Sequence, residues 1–165
     1  MQPTVSFFVA GHPEPAGSKQ AFVPQHPRTK QIYRDKHGRV VVSVVDANSK
    51  SKAWKAHIAS TARICYRGAP LAGPVVLYLT FTLNRPKGHY GTGRNATTIK
   101  ASAPRRPTSK PDVLKLARAV EDALTQAGVW GDDAQIVDEH LAKRYGETEG
   151  VEIKIIADGD EHETD

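Results

Sequence analysis

Between Asp112 and Gly128 the sequence DVLKLARAVEDALTQAG returns its apolar residues at the interval of one helical face. At about 100° per residue, Val113, Leu116, Ala117, Val120, Ala123, Leu124 and Ala127 form a single stripe, which predicts a helix buried on one side. Lys115, Arg118 and Asp122 lie opposite, and Arg118 and Asp122 have the i,i+4 spacing of a surface ion pair. Asp112 stands where a carboxylate caps the first free N–H groups and meets the positive end of the helix dipole. The same turn would give its second oxygen a defined position, which suits a metal. A one-sided helix needs a layer to pack against, so the rest of the chain has to supply a sheet or a second helix.

The flanking sequence supplies both. TVSFFVAG alternates as a strand, and PVVLYLTFTLN reads as a stronger one. KHGR marks a hairpin turn between arms at 31–33 and 40–45. NSKSKAWKAHIASTARICYR opens with capping residues and spaces Trp54, Ile58, Ala62 and Cys65 helically, up to a stop at Gly68 and Pro70. The segment RPKGHYGTGRNATTIKASAPRRPTSKP is a long basic loop. AQIVDEHLAKRYG and VEIKIIA read as the arms of a terminal hairpin. The order predicts an α+β fold, a small mixed sheet with two main helices packed on it. Residues 1–157 would make one domain, with an acidic tail at 158–165.

Net charge is +5 at pH 7, and its distribution carries more than its sum. The 65 residues between Asp46 and Asp112 contain no Asp or Glu and 12 Lys or Arg, whereas the chain from Asp112 onward holds 15 of the 18 acids and five Lys or Arg. A basic middle beside an acidic end suits a surface that holds a polyanion next to a carboxylate cluster; solvated faces are the plainer alternative. The lone Cys65 excludes an intramolecular disulfide, and residues 1–10 lack the pattern of a secretory signal. No apolar run approaches the roughly 18 residues of a membrane helix. These features predict a cytoplasmic protein with no membrane partner.

After the predicted helix comes GVWGDD. Gly128 fits a left-handed helix end, Trp130 an anchor on the core, and Gly131 a tight turn presenting Asp132 and Asp133. Adjacent carboxylates repel unless a cation sits between them. Hard oxygen donors without a Cys or His cluster favour Mg²⁺, or Mn²⁺ in its place, over Zn²⁺. An exposed turn with no ligand is the competing reading.

From Lys110 to Lys143, through KPD, KLARAVEDAL and AGVWGDDAQIVD, the chain resembles the RusA family of Holliday-junction resolvases, and GHPEPAGSK resembles the opening of its members. The resemblance implies a RusA-like homodimer, in a bacterial or phage-infected cell, that binds four-way junction DNA and uses Mg²⁺ to cut two strands symmetrically. It places the metal-binding aspartates at Asp112 and Asp133, with Asp132 beside the latter and Asp122 in support. The catalytic lysine of the family falls on Arg118, a guanidinium that does not release a proton near neutral pH and so fits a phosphate clamp. The second aspartate of the family's D-x-D pattern is Leu114 here. Lys19, Arg85, Lys87, Arg94, Arg105, Arg106, Lys110, Lys115 and Lys143 are the expected DNA contacts. A branched-DNA binder impaired in cutting, which Leu114 makes credible, is one alternative; a nuclease for another phosphodiester, such as RNA or flap DNA, is a second.

Overall fold

The computed structural model describes residues 4–46 and 48–158. Its elements are β1 (Thr4–Ala10), β2 (Lys19–Phe22), β3 (Ser43–Asp46), α1 (Ser49–Cys65), β4 (Val75–Leu83), α2 (Val113–Ala127), β5 (Ile136–Tyr145) and β6 (Gly150–Ala157). The main sheet has the order β1-β6-β4-β5, with β4 and β5 parallel and the other pairs antiparallel; β2 and β3 form a separate two-stranded ribbon. This is the expected α+β architecture with a mixed sheet and two helices. The acidic tail beyond Asp158 lies outside the described residues.

The strand pattern decides which face is covered. Register aligns Val5 with Ile155 and Leu77, Phe7 with Ile153 and Leu79, and Val9 with Val151 and Phe81. Apart from the half-buried Phe7 these rows are buried, and they share a core with Trp54, Ile58 and Ala62 of α1 and Leu116, Val120 and Leu124 of α2. Each fully buried side chain of this size contributes about 1.5–3 kcal/mol. The alternate rows form the sheet's other side, where Tyr78 is 36% exposed and stacks on His140 at 4.3 Å.

The terminal hairpin is corrected: β5 and β6 do not pair, because β4 lies between them. The apolar alternation of β4 and β6 suits interior positions, while Asp138, His140 and Arg144 suit β5 to an edge. Parallel pairing of β4 with β5 needs a crossover, which α2 provides. The return from β5 to β6 passes the end of β4, where the Gly146 N–H donates to the Leu83 carbonyl at 3.1 Å. A Cβ on Gly146 would stand 2.6 Å from the Thr82 methyl, so glycine permits the passage.

The first hairpin is also revised. Its turn is present, with Gly38 at φ 77° and the Asp35 N–H donating to the Arg39 carbonyl at 2.9 Å. Residues 43–46, however, pair with 19–22, Ile32 bridges to Gln25, and the turn is spanned by an isolated bridge of Arg34 with Val40. Helix α1 is capped by the Asn48 side chain and ends at Tyr66, ahead of Gly68, and Cys65 is exposed, outside the buried stripe. No helix among the described residues is long and apolar enough to cross a membrane.

Candidate functional site

Asp112 occupies the N-cap position of α2, and its carbonyl accepts from the Lys115 and Leu116 N–H groups at 3.1 Å each. Its side chain makes no capping bond, contrary to the sequence expectation, and is exposed without a hydrogen bond or ion pair among the described residues. The segment before it is fixed from β5: Lys143 Nζ donates to the Ser109 and Pro111 carbonyls at 2.9 and 2.8 Å. From the other side the Ala16 N–H donates to the Lys115 carbonyl at 2.8 Å, which seats GHPEPAGSK against the start of α2. A cavity of about 330 Å³ lies there, lined by His12, Pro15, Lys110, Asp112 and Lys115 among others. Leu114 is 70% exposed, further out than the edge of an apolar stripe.

At the other end of α2, Gly128 at φ 77° closes the helix and Trp130 is buried, its indole N–H donating to Thr125 Oγ1 at 2.7 Å. The two aspartates then separate in role. Asp132 accepts from the Ala134 N–H at 2.8 Å in a capping box with Gln135, whose amide donates to the Leu71 and Gly73 carbonyls at 2.9 Å. The Asp133 carboxylate is exposed and makes no hydrogen bond or ion pair among the described residues. Asp132 is therefore occupied in building the turn that presents Asp133.

Asp133 shares a cavity of about 310 Å³ with Glu121, Asp138 and Glu139. Burial, followed by the charge of Glu139 across from it and those of Asp133 and Asp122, pushes the Glu121 carboxyl up to about 7. Glu139 Oε1 is buried without a donor from the protein, and a proton on Glu121 would supply one. Glu121 and Glu139 are 18 residues apart on different elements, so no local pattern announced them. The Asp132-x-x-Gln135 spacing is the local sequence signal of this cap.

Asp112 and Asp133 line different cavities. Asp133 stands beside Glu121, which is nine residues along α2 from Asp112, about 13 Å of helical rise. No group of three His, Cys, Asp or Glu side chains among the described residues is placed to hold a metal ion. Each location offers hard oxygen donors that suit Mg²⁺, an ion usually held by one or two carboxylates with waters. Arg118 is exposed and unpaired among the described residues; Asp122 bonds instead to Lys55 of α1 at 3.3 Å. The predicted Arg118–Asp122 pair is thus replaced by a tie between the helices, and Arg118 is left available.

The expected DNA contacts fall into groups. Arg85, Arg105, Arg106 and Lys143 line one cavity together with Arg144 and Tyr145, which the sequence did not single out. Lys87 lines a neighbouring cavity with Tyr90 and Ile99. Arg94 is exposed on a 3-10 turn of the long loop, and Lys110 and Lys115 flank Asp112. The Lys19 side chain lies outside the described residues. The loop itself is cross-tied: Arg85 donates to the Pro104 carbonyl at 2.8 Å and Lys100 to that of Gly88 at 2.9 Å.

Comparison with known proteins adds two findings. Residues 23–156 match the family described as endodeoxyribonuclease RusA. The uncharacterized protein YqaN of Bacillus subtilis (strain 168) is 33% identical over 110 residues, which cover 65% of this chain and 74% of that protein.

Proposed function

Because the chain belongs to the RusA family of endodeoxyribonucleases, we propose that it resolves four-way DNA junctions by paired, metal-dependent nicks. The observation that carries this reading is the state of Asp112 and Asp133. Both are exposed carboxylates without a hydrogen bond among the described residues, and each stands beside a cavity. Asp132 and Asp122 serve the fold, through the capping box and the Lys55 pair.

Holding Mg²⁺ is the role proposed for Asp112 and Asp133, with Mn²⁺ as the substitute. The chemistry such an ion supplies is activation of a water and neutralisation of charge at the scissile phosphate. Since the two carboxylates lie apart in one protomer, the reading includes a homodimer in which Asp112 of one subunit works with Asp133 of its partner. Two such sites related by a two-fold axis suit symmetric cuts in a four-way junction. Arg118 contributes a fixed positive charge toward a phosphate oxygen, which matters most where charge builds up in the transition state. A cytoplasmic setting, where DNA is accessible, completes the proposal.

A second reading is favoured by one residue. Leu114, 70% exposed, stands where the family pattern has an aspartate, and a site short of one ligand would bind branched DNA while cutting it poorly. A synthetic four-way junction, incubated with and without Mg²⁺ and its strands sized, separates the two. For the nuclease, Asp133→Asn abolishes cutting and leaves junction affinity equal or higher, since a negative charge facing phosphate is removed. Cutting at the wild-type rate by Asp133→Asn would place the metal elsewhere.

A further inference from the structure

The cavity at the ends of β4 and β5 has a volume of about 660 Å³ and is lined by Arg85, Arg105, Arg106, Lys143, Arg144 and Tyr145, with no Asp or Glu on its walls. Five cations around one space repel each other unless an anion enters. Three of them are held by the fold. Arg85 lies 4.2 Å over the Tyr145 ring and donates to the Pro104 carbonyl at 2.8 Å. Arg144 donates to Thr82 Oγ1 at 3.0 Å and meets Glu152 at 3.5 Å. Lys143 spends two of its three donors on the Ser109 and Pro111 carbonyls. Arg105 and Arg106 are exposed and have no hydrogen bond or ion pair among the described residues.

We propose that this cavity seats a backbone phosphate of DNA, with Arg105 and Arg106 closing on it and Arg85 and Arg144 as the preset wall. The inference rests on the nuclease reading and adds to it the subsite and its two unpaired arginine contacts. A guanidinium stacked on a ring and bonded on one edge still presents its other N–H groups in a rigid fork, the geometry that pairs with phosphate oxygens. Lys143 links the subsite to the proposed metal ligand: the ammonium on its wall also holds the Ser109 and Pro111 carbonyls of the segment leading into Asp112. A strand anchored here is therefore held in register with the segment that carries Asp112.

The test compares Arg105→Gln/Arg106→Gln with a charge-matched control in the exposed segment between β2 and β3, Arg28→Gln/Lys36→Gln. Affinity for a short duplex and for a four-way junction is measured in EDTA over a series of salt concentrations. The cavity variant should lower the slope of log affinity against log salt by about one on both DNAs, with roughly tenfold weaker binding near 100 mM salt. The control should keep the wild-type slope, and the thermal midpoints of all three proteins should agree. An unchanged slope in the cavity variant, an equal fall in the control, or no DNA binding by the wild type would overturn the subsite. Normal binding by a wild type that does not cut the junction in Mg²⁺ would sink the resolvase reading alone, since the slopes still decide the subsite.

Discussion

Glu121 carries an electrostatic load that its position in the helix does not reveal. Its folded pKa is raised from 4.5 to about 7, first by burial and then by Glu139, Asp133 and Asp122. A carboxyl whose pKa rises on folding favours the folded state while protonated. Its contribution is fully present below about pH 4.5 and is lost as pH rises through about 7. Glu121→Gln, measured without divalent ions, should therefore raise the thermal midpoint more at pH 8 than at pH 5. Allowing for the solvent that screens a half-exposed group, the difference is about 1–2 kcal/mol, a few degrees for a chain of this size. Equal midpoint shifts at the two pH values would show that Glu121 ionises as freely as in the unfolded chain. Leu114 is the opposite case, an apolar side chain 70% exposed where packing does not need it. Leu114→Asp should leave the fold intact, since Asp in a first turn is favoured by about 0.3–1 kcal/mol. It should also lower the Mg²⁺ concentration for half-maximal junction cutting, because an added carboxylate tightens a hard-cation site. An unchanged metal requirement in the folded variant would mean that position 114 is not a missing ligand.

At the scale of elements, the join between β5 and the start of α2 is made by one ammonium. Removing Lys143 takes the donor from the exposed Ser109 carbonyl, which water replaces, and from the part-buried Pro111 carbonyl, at a cost of about 1 kcal/mol, and releases the segment that sets Asp112. Lys143→Met should raise the Mg²⁺ requirement for cutting by more than it weakens junction binding in EDTA. A loss of binding that fully accounts for the loss of cutting would reduce Lys143 to a DNA contact. This join also shows what the sequence could and could not convey. The stripe from Val113 to Ala127 and the alternation of β4 are local patterns set by burial on one side, and both elements form as expected. The placing of β4 between β5 and β6 is not local, because a polar edge strand and a hairpin arm look alike until a third strand competes for the pairing. The aspartates were legible one at a time, each from its turn. Their division into Asp132, which caps, and Asp133, which is exposed, depends on where Gln135 finds carbonyls 62 and 64 residues away. Glu139, Arg144 and Tyr145 escaped because β5 reads as an ordinary polar strand until Glu121 and the long loop are brought against its two ends.

For the whole molecule, the decisive quantity is how Asp112 and Asp133 combine. In the proposed dimer the metal site takes Asp112 from one chain and Asp133 from its partner, and that arrangement has a consequence no cis site shares. Asp112→Asn and Asp133→Asn should each be inactive alone. After subunit exchange, a mixed dimer has one site with both carboxylates intact and one site with neither. Random mixing therefore restores about a quarter of the wild-type sites, each on a dimer with a single working centre. The product should be a junction nicked on one strand, without the paired cuts of the wild type. Strand sizing on a junction labelled separately on each strand reads this directly. No recovery of nicking, in mixtures where exchange is verified by a tag on one variant, would mean that each protomer builds its centre alone.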